Sequence, residues 1–90
     1  MKIIIINAMW CPGCLISKGI WKEIKEIYPH IEYINYDYDL DEDKILKYNI
    51  GDIVPVVIIE KNDVEIKRII GEKSKKEILN ELGEVLWKTN

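Results

Sequence analysis

Four consecutive isoleucines, Ile3 to Ile6, stand near the head of this 90-residue chain. A β-branched run with no polar alternation reads as a strand buried on both faces. Such a strand needs a covering layer on each side, so the chain must wrap a sheet with helices above and below it. Ninety residues suffice for one core, and the whole chain, 1–90, is read as a single domain. With 48% hydrophobic and 32% charged residues, there is enough apolar side chain to offset the entropy of ordering, and disorder is excluded.

The rest of the pattern supplies those layers. Asn7 to Trp10 reads as a loop. Pro12 suits a first helical position, where its missing N–H would have no partner. Ile16, Ile20, Ile24 and Ile27 then recur at helical spacing, with Leu15 and Trp21 beside them, until Pro29 stops the helix. Ile31 to Asp37 alternates as a strand, with Ile31, Tyr33 and Asn35 on one face and Glu32, Ile34 and Tyr36 on the other. Asp41 to Tyr48 reads as a short helix with acids in its first turn, where the helix dipole favours them. Val54 to Glu60, with Pro55 near its start, and Val64 to Ile70 read as strands joined through Lys61-Asn62-Asp63 as a hairpin. Gly71 ends the hairpin. Ser74 and Glu77 form a capping box ahead of a helix whose apolar face is Ile78, Leu79, Leu82, Val85 and Leu86. The order is β-α-β-α-β-β-α: a right-handed βαβ unit followed by an antiparallel hairpin and a helix, giving a four-stranded mixed sheet with helices on both faces.

Only two cysteines are present, Cys11 and Cys14, three positions apart in W-C-P-G-C. One tight pair closes no useful loop, so its purpose is chemical rather than structural. It stands where the first strand passes into the first helix. Free N–H groups and the dipole at a helix N-terminus favour an anion, and a thiolate there is stabilised. Cys11 lies nearest those groups and at the domain edge, which makes it the expected nucleophile. Cys14 lies one helical turn further in and more buried, within reach of a mixed disulfide formed on Cys11. Pro12 and Gly13 hold the turn between them and influence the redox potential. The competing reading is a pair of inert buried thiols or half a metal site, but a four-ligand zinc site lacks partners in a chain with no other cysteine and one histidine.

With these residues in view the chain resembles the thioredoxin superfamily over nearly its whole length. W-C-P-G-C follows a strand and opens a helix. Y-N-I-G-D-I-V-P-V, Tyr48 to Val56, is similar to the family's approach to its cis-proline strand. An Asn-Asp hairpin follows, and Gly71 with the S-x-x-E helix is similar to the family's ending. The resemblance implies a thioredoxin-like fold and thiol–disulfide oxidoreductase activity with a redox-active disulfide and no bound cofactor or metal. It implies that Pro55 is cis and lies against the dithiol, that Val54 offers its backbone to an extended substrate strand, and that Trp10 belongs to the docking surface. It also implies disulfide-containing proteins as substrates and a thiol or disulfide reductase as electron donor. The chain departs from thioredoxins proper at two places: Ile5 replaces a buried Asp of the first strand, and Asn35 stands where a Lys of the next strand is expected. Cys14 is thereby left without a carboxylate base, so water or the substrate thiolate is expected to take its proton. C-P-G-C is closer to glutaredoxins, yet Ala8 replaces their Lys and Gly71-Glu72-Lys73 replaces their Gly-Gly and Asp, which speaks against glutathione binding. The alternatives are a redox-responsive binding or regulatory module with little turnover and a glutathione-dependent enzyme.

Other features carry less. A net charge of −3 and an isoelectric point of about 5.1 argue against a nucleic-acid partner. The apolar N-terminal run meets Asn7 after four residues, short of the ~7–15 of a signal sequence, and no stretch approaches the ~20 apolar residues of a membrane span. The expectation is an unprocessed, cytoplasmic monomer. Asp37, Asp39, Asp41 and Asp43 alternate like a calcium loop, but Glu42 stands where Gly is needed and Tyr48 where the bidentate Glu is needed. They are read as a solvated loop and helix start. His30 is read as solvated, and Trp21 and Trp87 as partly buried packing residues.

Overall fold

The computed structural model describes the backbone of residues 1–88 and the side chains of residues 1–86; the packing expected of Trp87 lies outside the described side chains. The elements are β1 (Lys2–Asn7), α1 (Pro12–Ile27), β2 (Glu32–Asp37), α2 (Glu42–Ile45) running into a 3-10 turn (Leu46–Tyr48), β3 (Val56–Lys61), β4 (Val64–Ile70) and α3 (Lys75–Lys88). The sheet order is β2-β1-β3-β4. β1 is parallel to β2, with Ile5 opposite Asn35, and antiparallel to β3, with Ile4 opposite Ile58.

The double-sided burial expected of β1 sets the layers. Ile3 and Ile5 pack with Trp21 and Ile24 of α1, Val57 and Ile59 of β3, and Ile78 and Leu82 of α3. Ile4 and Ile6 point the opposite way, to Val56 and Ile58 and to Ile45 and Tyr48 of the α2 segment. Period-2 alternation along the strand thus distributes one apolar run between two cores. The thioredoxin-like arrangement, with helices on both faces of a four-stranded mixed sheet, is as the sequence implied.

The differences lie at element ends. β1 extends through Asn7, and β2 begins at Glu32 rather than Ile31. β3 starts at Val56, because Val54 and Pro55 precede the ladder; the Pro55 carbonyl accepts from the Gly71 N–H at 2.8 Å. The helix expected over Asp41–Tyr48 is a single α-turn that tightens to 3-10 and ends at Asn49, which is in the left-handed region with φ 54°. Asn62 and Asp63 both have positive φ, which matches the right-handed twist of a two-residue hairpin. Gly71, at φ +87°, reverses the chain where a side chain would be strained. The capping box forms as read: Ser74 Oγ accepts from the Glu77 N–H at 3.1 Å, and Glu77 Oε1 accepts from the Ser74 hydroxyl at 3.0 Å and its N–H at 3.4 Å. Trp21 is fully rather than partly buried, and His30 is exposed.

Two substitutions separate core from cap. Ile4→Ala empties a fully buried site and should cost about 2–5 kcal/mol in urea unfolding, whereas Ser74→Ala should cost about 1 kcal/mol. Equal, small losses would mean that β1 is not the buried centre.

Candidate active site

The loop Ala8–Trp10 leaves β1 and delivers Cys11 to the N-cap of α1, in extended conformation at φ −99° and ψ 111°. Pro12 is the first helical residue, which needs no N–H partner. The Cys14 N–H donates to Cys11 Sγ at 3.2 Å. A helix-terminal donor is therefore aimed at the sulfur, the arrangement that stabilises a thiolate. The Cys11 thiol in turn lies 3.6 Å from the Val54 carbonyl, a weak S–H···O contact. The Val54–Pro55 peptide bond is cis. Both cysteines are free thiols and cluster with Ala8, with Tyr38 and Val54 packed against them.

Burial separates the two sulfurs less than the sequence suggested. Cys14 is fully enclosed, and Cys11, expected at the domain edge, retains only 7% exposure. Burial is the main reason the Cys14 thiol is pushed up from 9.0 to about 11. Its hydrogen bond and charge interaction with Cys11 act in the same direction, while the Ala8 N–H and Lys18 oppose it. Cys14 is thus held as a thiol at neutral pH, and Cys11 is the sulfur with both a helix donor and a path to solvent.

Trp10 is 59% exposed beside the dithiol. Its indole N–H donates to Asp39 Oδ2 at 2.8 Å, and its ring meets Tyr38 edge-on at 6.1 Å. The indole is thereby fixed while its surface stays open, and Met9 and Ile53 are also exposed. A Cβ at Gly13 would meet the Glu72 carboxylate, Oε2 at 3.0 Å, a tight contact that the exposed Glu72 side chain relieves by a small shift. The structure therefore brings Trp10, Cys11, Pro12, Gly13, Cys14, Val54 and Pro55 together around one sulfur pair.

Tyr38 and Lys18 were not singled out from the sequence, Asp39 was read only as part of a solvated aspartate run, and Glu72 only as a departure from the glutaredoxin ending. Only Lys18 carried a local signal, its i+4 spacing from Cys14 on α1. Two aspartates of the unfulfilled calcium pattern, Asp37 and Asp41, serve the backbone. Asp37 Oδ1 accepts from the Asp39 and Leu40 N–H groups at 2.9 Å, and Asp41 Oδ2 accepts from the Asp37 N–H at 2.7 Å.

Comparison with known proteins agrees with this fold. The family model described as Thioredoxin matches residues 2–84. Thioredoxin H5 of Oryza sativa subsp. japonica is 28% identical over 65 residues, covering 72% of this chain and 47% of the rice protein. The chain thus matches about half the length of that relative. The crystal structure of thioredoxin from Trypanosoma brucei brucei superposes with a TM-score of 0.84 at 18% identity, covering 94% of this chain and 74% of that one. The reduced Schistosoma mansoni thioredoxin pre-protein gives a TM-score of 0.81 at 25% identity, covering 92% and 76%.

The raised Cys14 value sets a pH dependence. An unfolded cysteine loses its proton near 9.0, the folded one near 11. Across that interval the unfolded state sheds protons first, so the reduced protein should lose stability as pH rises from 9.0 to 11 and show no such loss below 9.0. Urea unfolding of the reduced protein and of Cys14→Ser on either side of the interval checks this. A slope that survives the substitution would assign the effect to another group.

Proposed function

The chain belongs to the thioredoxin family, and from that premise we propose that it is a dithiol–disulfide oxidoreductase acting on protein disulfides through Cys11 and Cys14. The observation that carries this reading is the helix-terminal N–H of Cys14 aimed at Cys11 Sγ at 3.2 Å. The thiolate, not the thiol, is the nucleophile in exchange, and attack needs both thiolate character and access.

In the proposed cycle the Cys11 thiolate attacks one sulfur of a substrate disulfide. The other substrate sulfur leaves and takes a proton, and Cys11 is held in a mixed disulfide. Cys14 then loses its proton and attacks Cys11 Sγ. The second substrate sulfur departs, and a Cys11–Cys14 disulfide remains. Two electrons have passed from the dithiol to the substrate, so no bound cofactor is required. A low-molecular-weight thiol or a reductase restores the dithiol, and a reducing compartment such as the cytoplasm suits that cycle. An extended substrate segment has a backbone partner in Val54, whose carbonyl already faces Cys11, and an apolar rest in the open surface of Trp10, Met9 and Ile53.

Reduction of insulin disulfides with dithiothreitol as electron donor tests the proposal. The native chain should accelerate it, and Cys11→Ser should abolish the acceleration. Cys14→Ser should also lose turnover but accumulate a mixed disulfide between Cys11 and the substrate, visible by non-reducing electrophoresis. A chain that forms its disulfide yet reduces nothing would favour the redox-responsive binding module instead.

A further inference from the structure

Glu72 stands one residue past the point where the end of β4 is tied to the dithiol site. The Gly71 N–H donates to the Pro55 carbonyl at 2.8 Å. Gly71 turns the chain at φ +87°, with its open side 3.7 Å from Ile53 Cγ2. The backbone entering Glu72 is thereby held beside the cis Val54–Pro55 bond, and the Glu72 side chain runs over the turn between the two cysteines. Around the position a Cβ would take on Gly13, the three nearest atoms all belong to Glu72: Oε2 at 3.0 Å, Cδ at 3.3 Å and Cβ at 3.5 Å. The residue is exposed, and the salt bridges among the described residues use other carboxylates.

The charges around it do not cancel it at the sulfur pair. Asp39 adds a second carboxylate, and its partner, the Trp10 indole N–H at 2.8 Å, is neutral and leaves the negative charge in place. Glu42 shares the lining of a neighbouring hollow with Tyr38 and Asp39. The cations of the surrounding elements are engaged elsewhere. Lys44 pairs with Asp41 at 3.7 Å, Lys47 lies over the Tyr48 ring at 5.2 Å, and Arg68 holds Glu65 through two bonds of 2.9 and 2.7 Å. Lys18 acts on the buried Cys14, and the exposed Lys73 follows Glu72 in the chain. The attacking species, a Cys11 thiolate, is itself an anion. An anionic disulfide approaching it meets like charge from the thiolate, Glu72 and Asp39, whereas a cationic one is drawn in.

We propose that Glu72 is a specificity-determining residue of the dithiol: its carboxylate, placed over the Cys11–Cys14 turn, favours disulfides flanked by lysine or arginine and disfavours anionic ones. This rests on the dithiol–disulfide reading above and adds a substrate class to it. The chemistry is unaltered. The Cys11 thiolate displaces one substrate sulfur as a thiolate, Cys14 displaces the other after losing its proton to solvent, and two electrons pass from the dithiol to the substrate. Glu72 takes no part in bond making; it changes the energy of a charged substrate at the sulfur, by attraction for one sign and repulsion for the other.

Three small disulfides test this: cystamine, a dication; 2-hydroxyethyl disulfide, neutral; and 3,3′-dithiodipropionate, a dianion. Each is mixed in excess with the reduced protein at low salt. Formation of the Cys11–Cys14 disulfide is followed by acid quenching, thiol labelling and mass spectrometry. In Glu72→Gln the ratio of the cystamine rate to the dithiodipropionate rate should fall about fivefold, the size expected for removing one charge near a charged substrate in a largely aqueous setting. The neutral disulfide reports any change in the Cys11 thiolate itself, which moves all three rates together and leaves the ratio unmoved. Glu72→Lys should lower the ratio further. Raising the salt to about 1 M, where the screening length falls to ~3 Å, should bring the native ratio towards that of Glu72→Gln. Glu26→Gln removes the same charge about 20 Å further along α1 and should leave the ratio as in the native chain. An unchanged ratio in Glu72→Gln, or an equal fall in Glu26→Gln, overturns this inference and leaves the oxidoreductase reading intact. A native chain that reacts with none of the three would instead overturn that reading.

Discussion

β1 has no solvent face, and most of the architecture follows from the need to cover it twice. Ile3 and Ile5 demand one layer, which α1 and α3 supply, and Ile4 and Ile6 demand the other, which the α2 segment supplies. A strand in this position must be central, and the parallel β2 and antiparallel β3 flank it. The chain leaves such a strand at the C-terminal end of β1 and passes through the short loop Ala8–Trp10 into α1. The N-terminus of that helix, with its unsatisfied N–H groups, is therefore fixed at the surface by the same burial that stabilises the core. Cys11 occupies that point, and the chemistry depends on the fold through it.

The two sulfurs share one turn of helix and one buried cluster but have different partners. Cys11 receives the Cys14 N–H and faces the Val54 carbonyl, while Cys14 is enclosed and its thiol is pushed up to about 11. An asymmetric pair lets one sulfur attack and the other wait. It also creates a difficulty, because the waiting thiol must ionise in a place that disfavours charge. Ile5 and Asn35 offer no carboxylate there. The Ala8 N–H and Lys18 are the groups that act in the opposite direction.

Features written in short stretches of sequence were legible. The isoleucine run, the 3.6-residue period of α1, the Asn-Asp turn and the Ser74–Glu77 box are each decided by neighbours within a few residues. What escaped was decided by distant partners. Pro55 stands outside the strand because it has no N–H to return to Gly71, whose N–H its carbonyl accepts. The helical stretch after Asp41 ends at Tyr48 as read, but its second half, Leu46–Tyr48, is 3-10 rather than α. Trp10 is held by an aspartate 29 positions away, and Glu72 reaches Gly13 from the far end of the hairpin. The aspartate run read as solvated contains two carboxylates that fold back on their own loop. The cysteine pair itself was legible because its chemistry and its helix-terminal place are both local.

The central claim is that Cys11 and Cys14 form a reversible two-electron couple. Equilibrating the protein across dithiothreitol and glutathione buffers, followed by thiol labelling and mass spectrometry, measures it directly. The account predicts an intramolecular disulfide whose fraction follows a two-electron slope of about 30 mV per tenfold change in ratio. If no Cys11–Cys14 disulfide forms at any poise, the pair is not a redox couple and the account is wrong.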